Sequence, residues 1–281
     1  MQKVTSPKEF QSICWAWRTT GQTVALVPTM GYLHAGHLSL FEWARKNAQK
    51  VVVSLFVNPK QFGPNEDLDR YPRDPDGDTA KAQAAGVDVL FTPAAGELYP
   101  QEFATTVRVI GLTTGLCGAS RPGHFEGVTT VVAKLLMLAM PTVAVFGQKD
   151  WQQLAVLRRM VKDLDFPVAI EGRPIFRESD GLAMSSRNVY LSPAERSMAP
   201  AIHYGLVHAR DAVRAGETNA ARLIFSLAEF YATNMPDAST DYLELVHPKT
   251  LMPLATITGP ALLAVAVKFP RVRLIDNILL Q

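Results

Sequence analysis

Continuous apolar runs alternate with helical stripes along the first two-thirds of the chain. Val24 to Val27 is a short apolar run, and Lys50 to Val57 contains VVVSLFV, which shows no polar alternation. Runs of this kind suit parallel strands covered on both faces by helices. Val87 to Phe91, Thr142 to Phe146 and Val168 to Ile170 extend the series, and Thr105 to Ile110 reads as an additional strand. Between the runs, Leu38, Leu40, Phe41 and Ala44 recur at helical spacing, as do Leu154, Leu157, Met160 and Val161. The pattern predicts helices over 38–47, 79–85, 128–140 and 151–164. Ser6-Pro7-Lys8-Glu9 pairs a capping serine with proline at the first helical position, so a further helix runs to about Arg18.

The texture changes after Tyr190. Ser192-Pro193-Ala194-Glu195 opens a helix toward Ala215, and a second helix covers Asn219 to about Thr233. Asp241 to Val246, Ala261 to Lys268 and Val272 to Asp276 then read as strands. Helices followed by strands predict an α+β domain. We place the boundary near Arg177. Residues 1–177 form a Rossmann-like, doubly wound parallel α/β sheet, and residues 178–281 form a smaller C-terminal α+β domain that acts as a lid.

An open parallel sheet with right-handed crossovers binds ligands beyond the carboxyl ends of its strands. Three polar stretches fall there: Thr29-Met30-Gly31-Tyr32-Leu33-His34-Ala35-Gly36-His37, then Asn58-Pro59-Lys60-Gln61-Phe62, then Gly147-Gln148-Lys149-Asp150. The first passes from a strand through a glycine-punctuated turn into a helix. Backbone N–H groups and a positive helix end thereby face one point, which suits a phosphate. The glycines let the backbone approach a polyphosphate, and His34 and His37, three apart, share one face of the first helical turn. Imidazole in that position donates hydrogen bonds to phosphate oxygens and stabilises charge developing during transfer.

Lys149 at a strand end carries an ammonium suited to a phosphate or an attacking carboxylate, and Asp150 beside it suits a helix cap or a ribose hydroxyl. Ser185, Ser186 and Arg187, following Met184, form a hydroxyl-rich cationic cluster suited to the β and γ phosphates of ATP. Asp67, Asp69, Asp74, Asp76 and Asp78 lack the spacing and terminal glutamate of a calcium loop and read as solvated turns. His124 reads equally as structural, substrate-gating or catalytic, whereas His203, His208 and His247 are isolated.

A formal charge of +2 is too balanced for a nucleic-acid surface, which leaves small molecules as the expected partners. Cys14 and Cys117 are too few for a disulfide framework and lack zinc spacing. The longest apolar stretch, Val128 to Phe146, is interrupted by Lys134 and Pro141, and MQKVTSPKEF has no signal-like region. The expected compartment is the cytoplasm, with no membrane contact.

MGYLHAGH resembles the HIGH-type signature of nucleotidylyltransferases and class I aminoacyl-tRNA synthetases, and MSSRN resembles the KMSKS-type phosphate loop. With VNPKQFGPNEDLDRYPRD and GQKDWQQL in the same order, Pro28 to about Leu191 is most similar to the pantothenate synthetases. The resemblance implies ligation of pantoate to β-alanine through a pantoyl adenylate, with ATP cleaved to AMP and pyrophosphate. It assigns ATP to residues 30–37, Gly147, Gln148, Lys149, Asp150, Phe176, Met184, Ser185, Ser186 and Arg187, with His34, His37, Lys149 and Arg187 catalytic. It gives pantoate contacts to Gln61 and Gln153, and a β-alanine contact to Gln61. It further implies a homodimer, and Mg²⁺ carried on phosphate oxygens without a dedicated protein cage. Gln148 stands where the family often has glutamate, and Phe176 where a smaller apolar residue is common beside adenine. The remaining readings are a nucleotidylyltransferase acting on a phosphate acceptor and a non-catalytic nucleotide sensor.

Overall fold

The computed structural model describes residues 1–64 and 66–280. In chain order its regular elements begin with β1 (Gln2–Val4), α1 (Pro7–Thr19), β2 (Val24–Thr29), α2 (Ala35–Asn47), β3 (Lys50–Leu55), α3 (Pro75–Ala84) and β4 (Val89–Phe91). There follow α4 (Ala95–Leu98), α5 (Leu116–Ser120), α6 (His124–Ala139), β5 (Val143–Gly147), α7 (Trp151–Asp163) and β6 (Ala169–Arg173). The last are α8 (Pro193–Met198), α9 (Ala201–Arg214), α10 (Ala220–Asn234), β7 (Ser239–Val246), β8 (Ala261–Lys268) and β9 (Arg273–Leu280).

The chain divides into two compact units. The first comprises residues 1–111, 121–148 and 156–174, and the second comprises 112–120, 149–155 and 175–281. The first carries a six-stranded parallel sheet in the order β1-β4-β3-β2-β5-β6. Its central strands are buried along nearly their whole length, which is why they read as unbroken apolar runs. Phe41, Val51, Val53 and Leu90 belong to one apolar cluster, while the Phe10 ring of α1 stacks on Phe91 of β4 at 4.2 Å. Strand order reverses at β2: β3 and β4 lie to one side of it, β5 and β6 to the other. The carboxyl ends of β2 and β5 therefore flank the topological switch point.

The second unit has the antiparallel sheet β7-β8-β9, with α9 and α10 packed on it. Strand β8 is buried at seven of eight positions because it is the middle strand. Gly205 lets the two helices meet, since a Cβ there would fall 2.5 Å from Leu227 Cδ1. The Tyr231 hydroxyl donates to the Ile202 carbonyl in the same crossing. No helix among the described residues is long and apolar enough to cross a membrane.

Several elements differ from the sequence reading. Thr105 to Ile110 is not a strand: the Val107 N–H donates to the Thr130 hydroxyl and its carbonyl accepts from Thr129, so side chains of α6 take the bonds a neighbouring strand would have made. Helix α3 starts at Pro75, not Thr79, because Asp74 caps it by accepting from the Gly77 N–H. The helix expected from Pro193 toward Ala215 is two helices, since Pro200 has no N–H to continue the first. Strand β9 runs on to Leu280, four residues past the expected end, and β1 was not anticipated because three residues carry too little pattern.

Candidate active site

In the first unit, β2 ends at Thr29 and the chain turns through two consecutive residues in the left-handed region, Gly31 (φ 89°) and Tyr32 (φ 53°). A Cβ on Gly31 would lie 2.9 Å from Leu55 Cδ2, so the position needs glycine for space as well as conformation. Asp78 of α3 holds the turn. Its two carboxylate oxygens accept from the Tyr32 N–H at 2.7 Å and the Leu33 N–H at 2.6 Å, and the side chain is 1% exposed. These are charge-assisted bonds in a dry setting, among the stronger kinds a turn can have. The reading of Asp78 as solvated was therefore wrong. Its bonded partners lie 46 and 45 residues away, and local spacing carries no trace of them.

The turn delivers His34 to the cap position of α2 and His37 to its first turn, with ring centroids 4.0 Å apart. His37 Nδ1 accepts from the His34 backbone N–H at 3.3 Å. That bond places the proton of neutral His37 on Nε2, leaving that nitrogen as a donor. Gly147 and Gln148 close the other side of the switch point, with Gln148 Nε2 donating to the Gly172 carbonyl.

Gln61 lies in a short 3-10 turn, Pro59–Gln61, after β3. The turn abuts α6 at Gly127, where a Cβ would sit 2.2 Å from the Lys60 carbonyl oxygen. Asn58 Nδ2 donates to both the Gly127 carbonyl and Gln61 Oε1, while the Tyr99 hydroxyl donates to Asn58 Oδ1. Gln61 Nε2 in turn donates to Met30 Sδ at 3.0 Å, joining this turn to the histidine segment. His124 stands behind Gln61. Its Nδ1–H donates to the Gln61 carbonyl at 2.8 Å and its Nε2 accepts from Arg121, whose guanidinium also grips Glu66 at both oxygens. His124 thus has a supporting place in the first unit, and Asn58 is a central residue to which the sequence reading gave no role of its own. Its proximity to Pro59 marked only a strand end.

In the second unit, Lys149 is partly buried in a short turn before α7, and its backbone carbonyl accepts from Asn277 Nδ2 at 2.9 Å. Burial depresses the Lys149 ammonium below its ordinary range. Asp150 and Asp276 oppose that shift, and Arg187 and Arg177 reinforce it. The carboxylate of Asp276, 3% exposed, is already gripped by Arg177 at 2.6 and 3.0 Å. The three cations Lys149, Arg177 and Arg187 thus outnumber the two carboxylates Asp150 and Asp276, a balance that favours an arriving anion. Ser185 caps the 3-10 turn Ser186–Tyr190 by accepting from the Arg187 N–H. Ser186 is buried, Met184 partly so, and Phe176 is 42% exposed. Gln153 is partly buried in the first turn of α7, beside Gln152, which donates to the Leu112 and Gly115 carbonyls. The structure therefore groups Met30, His34, His37 and Gln61 in one unit, and Lys149, Asp150, Gln153 and Ser185 to Arg187 in the other.

A strand order reversing at a glycine-punctuated, histidine-bearing turn defines a doubly wound α/β protein. Residues 2–279 match the family model for pantoate-beta-alanine ligase. The chain is 59% identical to the pantothenate synthetase of Oleidesulfovibrio alaskensis over all of both chains. It is 56% identical to that of Nitratidesulfovibrio vulgaris over all of this chain and 99% of the other. The crystal structure of the Thermus thermophilus pantothenate synthetase superposes with a TM-score of 0.94 at 50% identity, covering 99% of each chain. A Francisella tularensis pantoate-beta-alanine ligase complexed with beta-gamma ATP and beta-alanine superposes at 0.80 and 32% identity, over 99% of this chain and 97% of the other. The chain belongs to the pantoate-beta-alanine ligase family.

Proposed function

We propose that this protein ligates pantoate to β-alanine in two steps, driven by ATP. A carboxylate is a poor acyl donor because oxide is a poor leaving group, so the acid is activated first. A pantoate carboxylate oxygen attacks the α-phosphorus of ATP, the bond from that phosphorus to the bridging oxygen breaks, and pyrophosphate departs. The β-alanine amine then attacks the acyl carbon, loses a proton and expels AMP. ATP would arrive as its magnesium complex, the ion travelling with the substrate and helping to neutralise phosphate charge.

In this reading His37 Nε2 and His34 donate to the α-phosphate as charge builds, and Lys149 neutralises the attacking carboxylate and the phosphate it meets. Ser186 and Arg187 hold the β and γ phosphates, with Met184 and Phe176 beside the base. The amides of Gln61 and Gln153 hold the hydroxy acid, and Gln61 also meets β-alanine. The observation that carries the proposal is the His34–His37 turn, locked by buried Asp78 at the point where strand order reverses. Free buried cysteines agree with a cytoplasmic location. The test is exchange of labelled pyrophosphate into ATP. Exchange that requires pantoate and proceeds without β-alanine is expected, and exchange that waits for β-alanine refutes the two-step order.

A further inference from the structure

The segment 176–184 is a hairpin. Met184 N donates to the Phe176 carbonyl, Glu178 N to the Leu182 carbonyl and Gly181 N to the Glu178 carbonyl, with Gly181 at φ 88°. Its first arm and its turn are tied by separate ion pairs. Arg177 is anchored to Asp276 of β9, whereas Glu178 and Asp180 are both held by one guanidinium from α8. Arg196 Nη1 donates to Asp180 Oδ2 and Nη2 to Glu178 Oε2, each at 2.6 Å. The second Glu178 oxygen accepts from Asn188 Nδ2 at 2.8 Å, and the same amide donates to the Ala183 carbonyl at 3.3 Å. Asn188 lies in the 3-10 turn that carries Ser186 and Arg187. A continuous chain of bonds therefore runs from Arg196 through Glu178 to Asn188, one residue beyond Arg187.

The geometry is specific to arginine. Two carboxylates are met by two nitrogens of one planar fork, which an ammonium cannot reproduce. Helix α8 is itself fixed at its start by reciprocal bonds between Ser192 and Glu195, so the guanidinium is presented from a defined element. Arg196 also draws the Asp180 carboxyl below its ordinary range. Every contact in this chain lies within the second unit.

We propose that Arg196 is a positioning residue for ATP: acting through Glu178 and Asn188, it sets the turn that presents Ser186 and Arg187 to the β and γ phosphates. The inference rests on the ligase reading above. It predicts a split that a merely structural ion pair would not produce, in which the ATP requirement changes and the pantoate requirement does not.

The experiment is steady-state pantoate-dependent pyrophosphate exchange, with hydrogen exchange across 182–190 in the absence of ligand. Wild-type protein is measured first, and absence of exchange there counts against the ligase reading, not against Arg196. Given wild-type exchange, Arg196→Met is expected to raise the ATP KM about tenfold or more, as expected for phosphate ligands displaced by a fraction of an ångström to 1 Å. The pantoate KM should stay within twofold, and amides of 182–190 should exchange faster. Arg196→Lys should recover part of the loss. Glu178→Gln, nearly isosteric, puts an NH₂ where one of two donors expects an oxygen, and should show the same split even if Arg196→Met fails to fold. Arg222→Met, which removes an exposed ion pair with Glu217, is the control and should behave as wild type. An ATP KM within twofold of wild type in folded Arg196→Met or Glu178→Gln, or pantoate and ATP constants rising together, overturns the proposal.

Discussion

The His34–His37 turn and the Lys149–Arg187 cluster are both suited to phosphate, but by opposite electrostatics. The first presents imidazoles and backbone N–H groups, and its only buried charge, Asp78, is spent inward on the turn. The second sets Lys149, Arg177 and Arg187 against the two carboxylates Asp150 and Asp276, so its excess cations repel one another until an anion arrives. A turn held by hydrogen bonds is set before substrate binds, whereas a cluster of like charges gains most of its stabilisation on binding. Geometry should dominate one and charge the other.

The largest expected effect breaks the comparison from both sides. His37→Ala and Lys149→Ala should each lower single-turnover adenylation by about 10² to 10³, the usual cost of one donor to developing charge. Quenched-flow measurement of acyl adenylate checks this, and a near-normal rate in either folded variant removes that residue from the chemistry. Next, Asp78→Asn should cost on the order of 10² in adenylation, since an amide offers one oxygen to two N–H donors and lets the turn shift. Melting should also reveal a loss of about 1 to 3 kcal/mol for the unsatisfied donor. A variant as active as wild type would show that Tyr32 and Leu33 hold their conformation unaided.

The third expectation sharpens the contrast through pH. Burial lowers the Lys149 pKa, so its ammonium is lost below the ordinary lysine range, and kcat/KM should fall on an alkaline limb that begins correspondingly early. The sign for stability is opposite: between the depressed folded pKa and the unfolded one the unfolded chain binds more protons, so folding strengthens as pH rises through that window. Lys149→Arg, always charged, should abolish both effects in pH–rate and pH–melting profiles. The smallest effect is ionic. Raising salt from 0.05 to 0.5 M should raise the ATP KM a few-fold through screening of Arg187 and its neighbours, while His34→Asn and wild type share the same salt slope.

The strand-and-helix alternation of the first unit was legible because β2, β3 and β5 are covered on both faces, and burial leaves a continuous apolar mark. The same reasoning failed at Thr105 to Ile110, where β-branched residues have strand propensity but their backbone bonds go to threonine hydroxyls of α6. Candidate residues in glycine turns were visible from spacing. Their supports were not, because Asp78 reaches back 46 residues to Tyr32, and Arg177 reaches 99 residues forward to Asp276. A side chain that acts on distant backbone leaves no periodicity. Asn58, bonded to Gly127 and Tyr99 across the fold, was hidden for the same reason.

The position of β2 bears on how the chain is made. One edge of this central strand is filled by β3, which follows within a short stretch, but the other waits for β5. Thr142 donates to the Val24 carbonyl across 118 residues of sequence. At about 5 to 20 residues per second, that interval lasts roughly 6 to 24 s of synthesis. Throughout it the nascent protein carries an apolar strand with an unpaired parallel edge, the kind of template on which neighbouring chains associate.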